Sequence, residues 1–199
     1  MAKTKDQRKG IFCLEGQWGG VKDKTTVEPV LRLLETMSGY NASYRHYDVG
    51  TREEFDFYLR KWRGASFNDF PILYLSFHGS QGEIFVGEGR DNSLSLEDLA
   101  ERLDRGCKGR VVHLGSCGTV GVHGSRLNRF LRQTGALAVC GYTSQVEWLE
   151  SAAFDVMVLG RLQNASFLRT SSLRRFDDEL KKTATGLYKH LGFRMSCLD

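Results

Sequence analysis

Residues 110–119 read RVVHLGSCGT, and this stretch decides the fold that the rest of the chain is expected to adopt. The apolar run at residues 111–114 predicts a buried strand, and the small residues after it predict a sharp turn. Cys117 falls in that turn, where we expect a helix to begin. A helix N-terminus carries unpaired N–H groups and positive potential, which favour a cysteine thiolate. The stretch therefore predicts a nucleophilic cysteine at the end of a central strand.

Strand and helix patterns alternate on both sides of this stretch. Apolar runs predict further buried strands at residues 10–14, 71–77 and 136–140, a more polar edge strand at 42–47 and a short last strand at 192–197. Helices are predicted after capping boxes at Thr25–Glu28 and Thr51–Glu54, after Ser95, and over residues 125–133, 148–162 and 171–190. Glycines around residues 84–86 indicate a small hairpin at 81–89. The alternation predicts an α/β, three-layer αβα sandwich with a mostly parallel six-stranded sheet.

Length and composition indicate how many domains the chain forms and which kinds of partner it is expected to lack. The 199 residues suit one domain, which we expect over residues 10–199 after a flexible segment at 1–9. The net charge is +4 and the basic residues are scattered, so no nucleic-acid partner is predicted. The basic start of the chain is not followed by an apolar segment, and no membrane span is apparent. We therefore expect a cytoplasmic protein without a membrane partner.

The cysteines and glycines give no sign of a metal or cofactor. Five cysteines are widely spaced and form no C-x-x-C pair, so zinc and thioredoxin-type sites are not predicted. The spaced glycines at residues 82–89 contain no GK[ST] and do not lead into a helix, which excludes a P-loop. We predict no cofactor.

Chemically useful residues follow the predicted strands. Ligands of open parallel sheets bind outside the carboxyl ends of the strands, where Glu15, His78 and Cys117 are expected to meet. His78 is the histidine that ends a strand next to the cysteine strand, so it is the candidate base. The backbone N–H groups of Gly79 and Cys117 are candidate oxyanion donors. The pattern is typical of a cysteine hydrolase.

Two blocks carry a family resemblance. LYLSFHGS (residues 73–80) and VVHLGSCGT (residues 111–119) resemble the histidine and cysteine blocks of the caspase-like superfamily of cysteine peptidases, which includes metacaspases, gingipains, separase and CHAT domains. Residues 139–162 resemble the strand, loop and helix that close a CHAT domain. The whole chain is similar to a bacterial family of uncharacterised caspase-like proteins. The resemblance implies a caspase-like fold and peptide-bond hydrolysis through an acyl-enzyme, with Cys117 as nucleophile and His78 as acid/base.

The chain departs from this superfamily at two positions that affect specificity. Caspases place a basic residue near the end of the first strand, where this chain has Glu15, and metacaspases often carry an aspartate where it has Gly115. Glu15, with Glu147 or Glu150, could form an acidic pocket that pairs with a P1 arginine or lysine. A basic P1 preference is therefore expected in place of an aspartate preference.

Two other readings stay open. GSCGT is similar to the G-x-C-x-G elbow of class I amidotransferases and related cysteine hydrolases, in which His123 or His190 would be the base. A catalytically silent caspase-like module that binds or regulates a partner is the non-enzymatic alternative. The resemblance implies a single-chain or partner-controlled enzyme with a protein substrate. A co-encoded pore-forming protein in a bacterial defence or cell-death system is one candidate substrate, and the sequence leaves the oligomeric state open.

Overall fold

The computed structural model describes residues 9–20, 22–87 and 92–198. Its strands are β1 Ile11–Glu15, β2 Tyr44–Asp48, β3 Ile72–Ser76, β4 Gly79–Ser80, β5 Glu83–Phe85, β6 Ser93–Ser95, β7 Val111–Leu114, β8 Ala138–Tyr142 and β9 Phe193–Cys197. Its helices are α1 Glu28–Thr36, α2 Arg52–Arg63, α3 Leu96–Leu103, α4 Gly124–Thr134, α5 Trp148–Leu162, α6 Thr170–Thr183 and α7 Thr185–His190, with a short 3-10 helix at Ala65–Phe67. The predicted flexible segment lies, apart from Lys9, outside the described residues, as does Gly89 at the end of the predicted hairpin.

The main sheet confirms the predicted fold class. Its six strands lie in the order β2-β1-β3-β7-β8-β9, and every neighbouring pair is parallel except β8 and β9. The polar strand β2 lies at an edge, as its composition predicts. The predicted hairpin belongs to a three-stranded antiparallel sheet, β4-β5-β6, which follows directly from β3. The strand before His78 and the strand before Cys117 are therefore neighbours.

Apolar side chains on both faces of the sheet build two core layers. Leu73 and Leu75 of β3 pack into one layer, which also takes buried residues of α2, α3 and α4. Ile72 and Tyr74 point to the opposite face, where buried residues of α1, α5 and α6 cover the sheet. A strand covered on both faces reads as a continuous apolar run, which explains why these strands were predictable. Each fully buried leucine contributes roughly 1.5–3 kcal/mol to folding.

The start of the first helix differs from the prediction. The capping boxes at Thr51–Glu54 and Ser95–Asp98 are present, but the one predicted at Thr25–Glu28 is wrong. The N-cap of α1 is Val27, whose side chain makes no capping hydrogen bond. The Glu28 N–H donates instead to the hydroxyl of Thr26 at 3.1 Å.

The prediction that a helix begins at Cys117 is also wrong. Cys117 lies in a turn, and α4 begins only at Gly124, with His123 as its N-cap. The turn needs Gly118 because φ is +69° there, in the left-handed region that side chains disfavour. The helix dipole therefore does not act on the thiol as the sequence suggested. The predicted helix over residues 171–190 is two helices, since Ala184 leaves the helical conformation.

Among the helices of residues 9–20, 22–87 and 92–198, none combines the length and the apolarity needed to cross a bilayer.

Candidate active site

His78 and Cys117 share one cleft at the carboxyl edge of the main sheet. They follow β3 and β7, which pair in parallel from Ile72↔Val111 to Leu75↔Leu114. Both line a cleft of about 950 Å³. Its other walls come from residues 17–19, 79–81 and 143–145. The structure thus brings together the two residues that the sequence selected, although 39 positions (117 − 78) separate them in the chain.

The His78 ring is held by the loop after β1. Its Nε2 lies 2.8 Å from the carbonyl oxygen of Trp18, and the two rings meet edge to face at 5.1 Å. A carbonyl oxygen can only accept a hydrogen bond, so Nε2 carries a proton in this arrangement. In the neutral imidazole Nδ1 is then unprotonated, which makes Nδ1 the nitrogen able to act as a base.

Two backbone N–H groups beside the thiol are available as donors. Phe85 N–H donates to the His78 carbonyl at 2.8 Å, so the alternation of an antiparallel ladder leaves the next residue, Gly79, without a hydrogen bond to β5. In the part of the chain that the structure describes, no backbone carbonyl accepts from the Cys117 N–H, whereas Gly118 N–H donates to Ser144. These are the two donors that the sequence predicted for an oxyanion.

Gly79 is also required by space. A Cβ at this position would lie 2.8 Å from the Glu83 carbonyl oxygen, 2.8 Å from Thr119 Oγ1 and 2.9 Å from Ser116 Cβ. Such contacts would force the strand away from the cysteine turn. A side chain at residue 79 would therefore disturb the position of its own N–H.

Cys117 differs from most of the other cysteines in its surroundings. Cys117 is half-buried at the wall of the cleft. Burial raises the pKa of Cys107 to about 12 and raises the pKa of Cys13 well above its usual value, with a further contribution from Glu15. Those two thiols are packed core groups.

Glu15 has a structural role that the sequence did not reveal. Its carboxylate is buried and accepts from four donors: the Trp18 indole N–H, the Val27 N–H, the Thr26 hydroxyl and His46 Nε2. Burial opposes the charged imidazole of His46, but the Glu15 carboxylate raises the pKa of that histidine.

The position of Glu15 does not support its predicted contact with substrate. It lies outside the walls of the cleft that holds Cys117 and His78, and it borders a separate cavity with His46 and Asp48. A carboxylate has roughly four lone-pair sites, and the four donors fill those of Glu15. Glu15 therefore positions Trp18, whose carbonyl in turn holds His78.

The other predicted acids and the alternative bases also lie away from the thiol. Glu147 caps α5 by accepting from the Glu150 N–H, and Glu150 pairs with His190 at 2.9 Å on the surface. His123 caps α4 and contacts Ser125. None of these four residues lines the cleft that holds Cys117 and His78. The acidic pocket predicted from Glu147 and Glu150 is therefore not formed by those residues.

Sequence reasoning missed a second, smaller cavity with a different acid. This cavity, about 200 Å³, also borders Trp18, His78 and Cys117. Its inner wall contains Ser76 and Asp155, both almost completely buried. We call it the inner pocket; its lining residues are Trp18, Val27, Tyr74, Ser76, His78, Gly115, Cys117, Gln145, Val146, Trp148, Ser151, Ala152 and Asp155.

Asp155 belongs to a buried network. It accepts from His113 Nε2 at 2.7 Å, from the Tyr74 hydroxyl at 2.7 Å and from the Tyr142 hydroxyl at 2.5 Å. Burial opposes the charged imidazole, but the Asp155 carboxylate, together with Cys140, raises the pKa of His113 to about 10. One signal could have found Asp155: it is a charged residue between the apolar positions of a helix that packs on the sheet.

Comparison with known proteins gives one match. A family described as "Family of unknown function (DUF6642)" matches residues 8–196. No curated protein matches the chain.

Proposed function

We propose that this chain, which belongs to the family of unknown function DUF6642, is a cysteine endopeptidase of caspase-like, CHAT-like type that uses Cys117 and His78. One observation carries the proposal: both side chains line one cleft at the ends of adjacent parallel strands, with the Trp18 carbonyl on His78 Nε2. With Nε2 bonded to that carbonyl, Nδ1 is the ring nitrogen left to accept the thiol proton.

The proposed reaction has two stages. His78 Nδ1 takes the Cys117 thiol proton, and the sulfur attacks the carbonyl carbon of the scissile peptide bond. The oxyanion accepts hydrogen bonds from the N–H groups of Gly79 and Cys117, each worth about 10²–10³ in rate. The imidazolium then gives its proton to the leaving amine as the C–N bond breaks, which leaves a thioester on Cys117.

Water completes the reaction. His78 Nδ1 removes a proton from a water molecule as its oxygen attacks the thioester carbonyl. The C–S bond breaks, the sulfur regains a proton from His78, and the carboxylic acid product leaves. The cleft of about 950 Å³ suits a segment of an extended peptide.

Substitution of the dyad tests the proposal. Cys117→Ala and His78→Ala should each lower the cleavage of a mixed fluorogenic peptide library by at least about 10³-fold. The matched controls are Cys197→Ala, a half-buried thiol outside the cleft, and His123→Ala. Peptide cleavage that survives His78→Ala but is lost in His123→Ala or His190→Ala would contradict the proposal and favour the amidotransferase-like alternative.

Alkylation distinguishes an enzyme from a silent binding module. A peptidyl acyloxymethyl ketone should label Cys117 faster than the other four cysteines, and the labelling should depend on His78. Uniform labelling that His78→Ala does not change would show that the dyad is not assembled for catalysis.

The proposal extends to the setting of the enzyme. The five cysteines are widely spaced and form no C-x-x-C pair, which fits a reducing cytoplasm. We propose a protein substrate, of which a co-encoded pore-forming protein in a bacterial defence system is one candidate. Mass spectrometry of new N-termini after expression of the protein and of its Cys117→Ala variant would identify the substrate.

A further inference from the structure

We propose that the inner pocket binds the positively charged side chain of a substrate arginine or lysine, with Asp155 and Ser76 as the residues that recognise the charge. The proposal rests on the function proposed above, because it identifies the substrate side chain that enters beside Cys117. It assigns specificity to Asp155 in place of Glu15, Glu147 and Glu150.

The position of the pocket fits the side chain next to the scissile bond. The pocket shares Trp18, His78 and Cys117 with the large cleft, so a peptide in the cleft passes over its mouth. A side chain that enters there belongs to the residue whose carbonyl carbon Cys117 attacks. The volume of about 200 Å³ is sufficient for one long side chain.

Hydrogen-bond acceptors lie at the inner end of the pocket. Asp155 accepts from three donors, two on Oδ1 and one on Oδ2, so a lone pair of Oδ2 remains. The Ser76 hydroxyl is buried near Tyr74, but no hydrogen bond of normal geometry joins it to any described residue. Buried polar groups are almost always paired, so the Ser76 hydroxyl calls for a partner from a guest. Asp155 Oδ2, already bonded to Tyr74, has room for a second donor.

Among the residues that the structure describes, no lysine or arginine lines the pocket. The protonated ring of His113 donates to Asp155 Oδ1 from outside the lining. His113 balances the carboxylate charge through Oδ1, while Oδ2 accepts from Tyr74 and keeps one lone pair. A guanidinium or ammonium group supplies several N–H donors and can satisfy Oδ2 and Ser76 together.

The pocket walls suit the rest of a basic side chain. Trp18 and Trp148 meet edge to face at 4.6 Å, and Val27, Val146 and Ala152 are also in the lining. The methylene stem of arginine or lysine packs on apolar surface, and a cation is attracted to the face of an indole. Acidic side chains would face Asp155, and apolar ones would leave the Ser76 hydroxyl without a partner.

Space beside the nucleophile explains why the acid comes from α5. Gly115 lines the pocket, but a Cβ there would lie 2.6 Å from the Tyr74 ring. The ring must stay in place because its hydroxyl donates to Asp155. The carboxylate therefore reaches the pocket from the helix that covers the sheet.

Direct binding tests the pocket without catalysis. Acetyl-arginine methylamide and its neutral isostere acetyl-citrulline methylamide would be titrated into the Cys117→Ala protein, with tryptophan fluorescence as the readout. Because a hydrogen bond to a charged group is a strong one, the arginine compound should bind at least about tenfold more tightly. Equal binding of the two compounds, or no binding of the arginine compound, would overturn the proposal, whatever the peptidase assays show.

Leucine substitutions at two adjacent alanines test where the arginine compound binds. Ala152→Leu fills the pocket and should abolish binding of the arginine compound, while Ala153→Leu, on the exposed side of the same helix, should leave it unchanged. Asp155→Asn should reduce the preference for arginine over citrulline if the protein folds. Binding that Ala152→Leu leaves intact would place the guest elsewhere and contradict the proposal.

Labelling separates this proposal from the proposed function. In the wild-type protein, acyloxymethyl ketones ending in arginine or lysine should label Cys117 at least about tenfold faster than those ending in leucine or aspartate. Faster His78-dependent labelling by the leucine or aspartate probes would overturn the pocket assignment and leave the peptidase intact. Labelling of Cys117 that His78→Ala does not change would instead contradict the proposed peptidase function. The binding assay with the arginine and citrulline compounds would then test the pocket by itself.

Discussion

Glu15 and Asp155 are two buried carboxylates with similar partners and different positions. Each accepts from a histidine, Glu15 from His46 and Asp155 from His113, and each accepts from an aromatic side chain. Glu15 has four donors and lies outside the cleft of Cys117 and His78, whereas Asp155 has three and borders a cavity with Cys117. The comparison teaches that burial and a histidine partner alone do not identify a substrate-binding acid. We propose that the remaining lone pairs of such an acid, and the cavity that it borders, decide its role.

The largest expected difference between the two acids is kinetic. Glu15→Gln should lower kcat/KM for every peptide by a similar factor, about 10², because displacement of Trp18 moves His78. Asp155→Asn should lower it mainly for peptides with a basic P1 residue. The measurement is kcat/KM for matched peptides ending in arginine, citrulline and leucine.

One outcome would contradict this comparison. If Glu15→Gln changed the ratio of kcat/KM for the arginine peptide to that for the citrulline peptide, and Asp155→Asn did not, the two roles would be reversed. Asp48→Asn is the control, since this exposed acid lies 3.9 Å from His46 and should change neither quantity.

The pH dependence of stability should separate the two histidines from an ordinary surface histidine. The pKa of His113 is raised from 6.5 to about 10 in the fold, so the native protein holds a proton that the unfolded chain releases. The contribution of the protonated His113 to the free energy of unfolding is fully present below the pKa of the unfolded chain. It is lost as the pH rises through the pKa of the folded protein. His46 has a raised pKa and the same sign.

Urea unfolding of the wild type, His113→Gln and His46→Gln measures this effect. The stability gap between the wild type and His113→Gln should be larger at about pH 6 than at about pH 9. His190 pairs with Glu150 on the surface, so the difference in stability between the wild type and His190→Gln should be small at both pH values. A His113 gap that stays constant or widens with pH would show that the His113–Asp155 pair is not ionic.

The smallest expected effect concerns two adjacent threonines. Thr26→Val removes a hydroxyl that donates to Glu15 at 2.7 Å and should cost about 1–2 kcal/mol of unfolding free energy. Thr25→Val removes only an exposed hydrogen bond to Asp23 and should cost less than about 0.5 kcal/mol. If Thr25→Val lowered the free energy of unfolding more than Thr26→Val, Thr25 would be the residue that caps α1.

The fold was predictable where local patterns and burial agree. The apolar runs of β3, β7 and β8 are long and continuous because helices cover both faces, and Thr51 and Ser95 cap helices through residues three positions away. The site was predictable as far as strand order places His78 beside Cys117. These features depend on short stretches of sequence.

The remaining features depend on contacts between distant residues. Thr25–Glu28 has the spacing of a cap, but Thr26 and Val27 donate hydrogen bonds to Glu15, which lies 11 and 12 positions before them and outside the helix. Asp155 is a specificity candidate only because Tyr74 and His113 lie on strands beneath α5. Single-sequence patterns carry no record of such pairings.

Trp18 connects Glu15 to His78 through two different groups of one residue. Its indole N–H binds Glu15, and its backbone carbonyl binds His78. A side-chain contact depends on residue identity, whereas a carbonyl is common to all residues. In the evolution of the family, residues 15 and 18 should therefore change together, while the histidine should tolerate any residue 18 that keeps the loop in place.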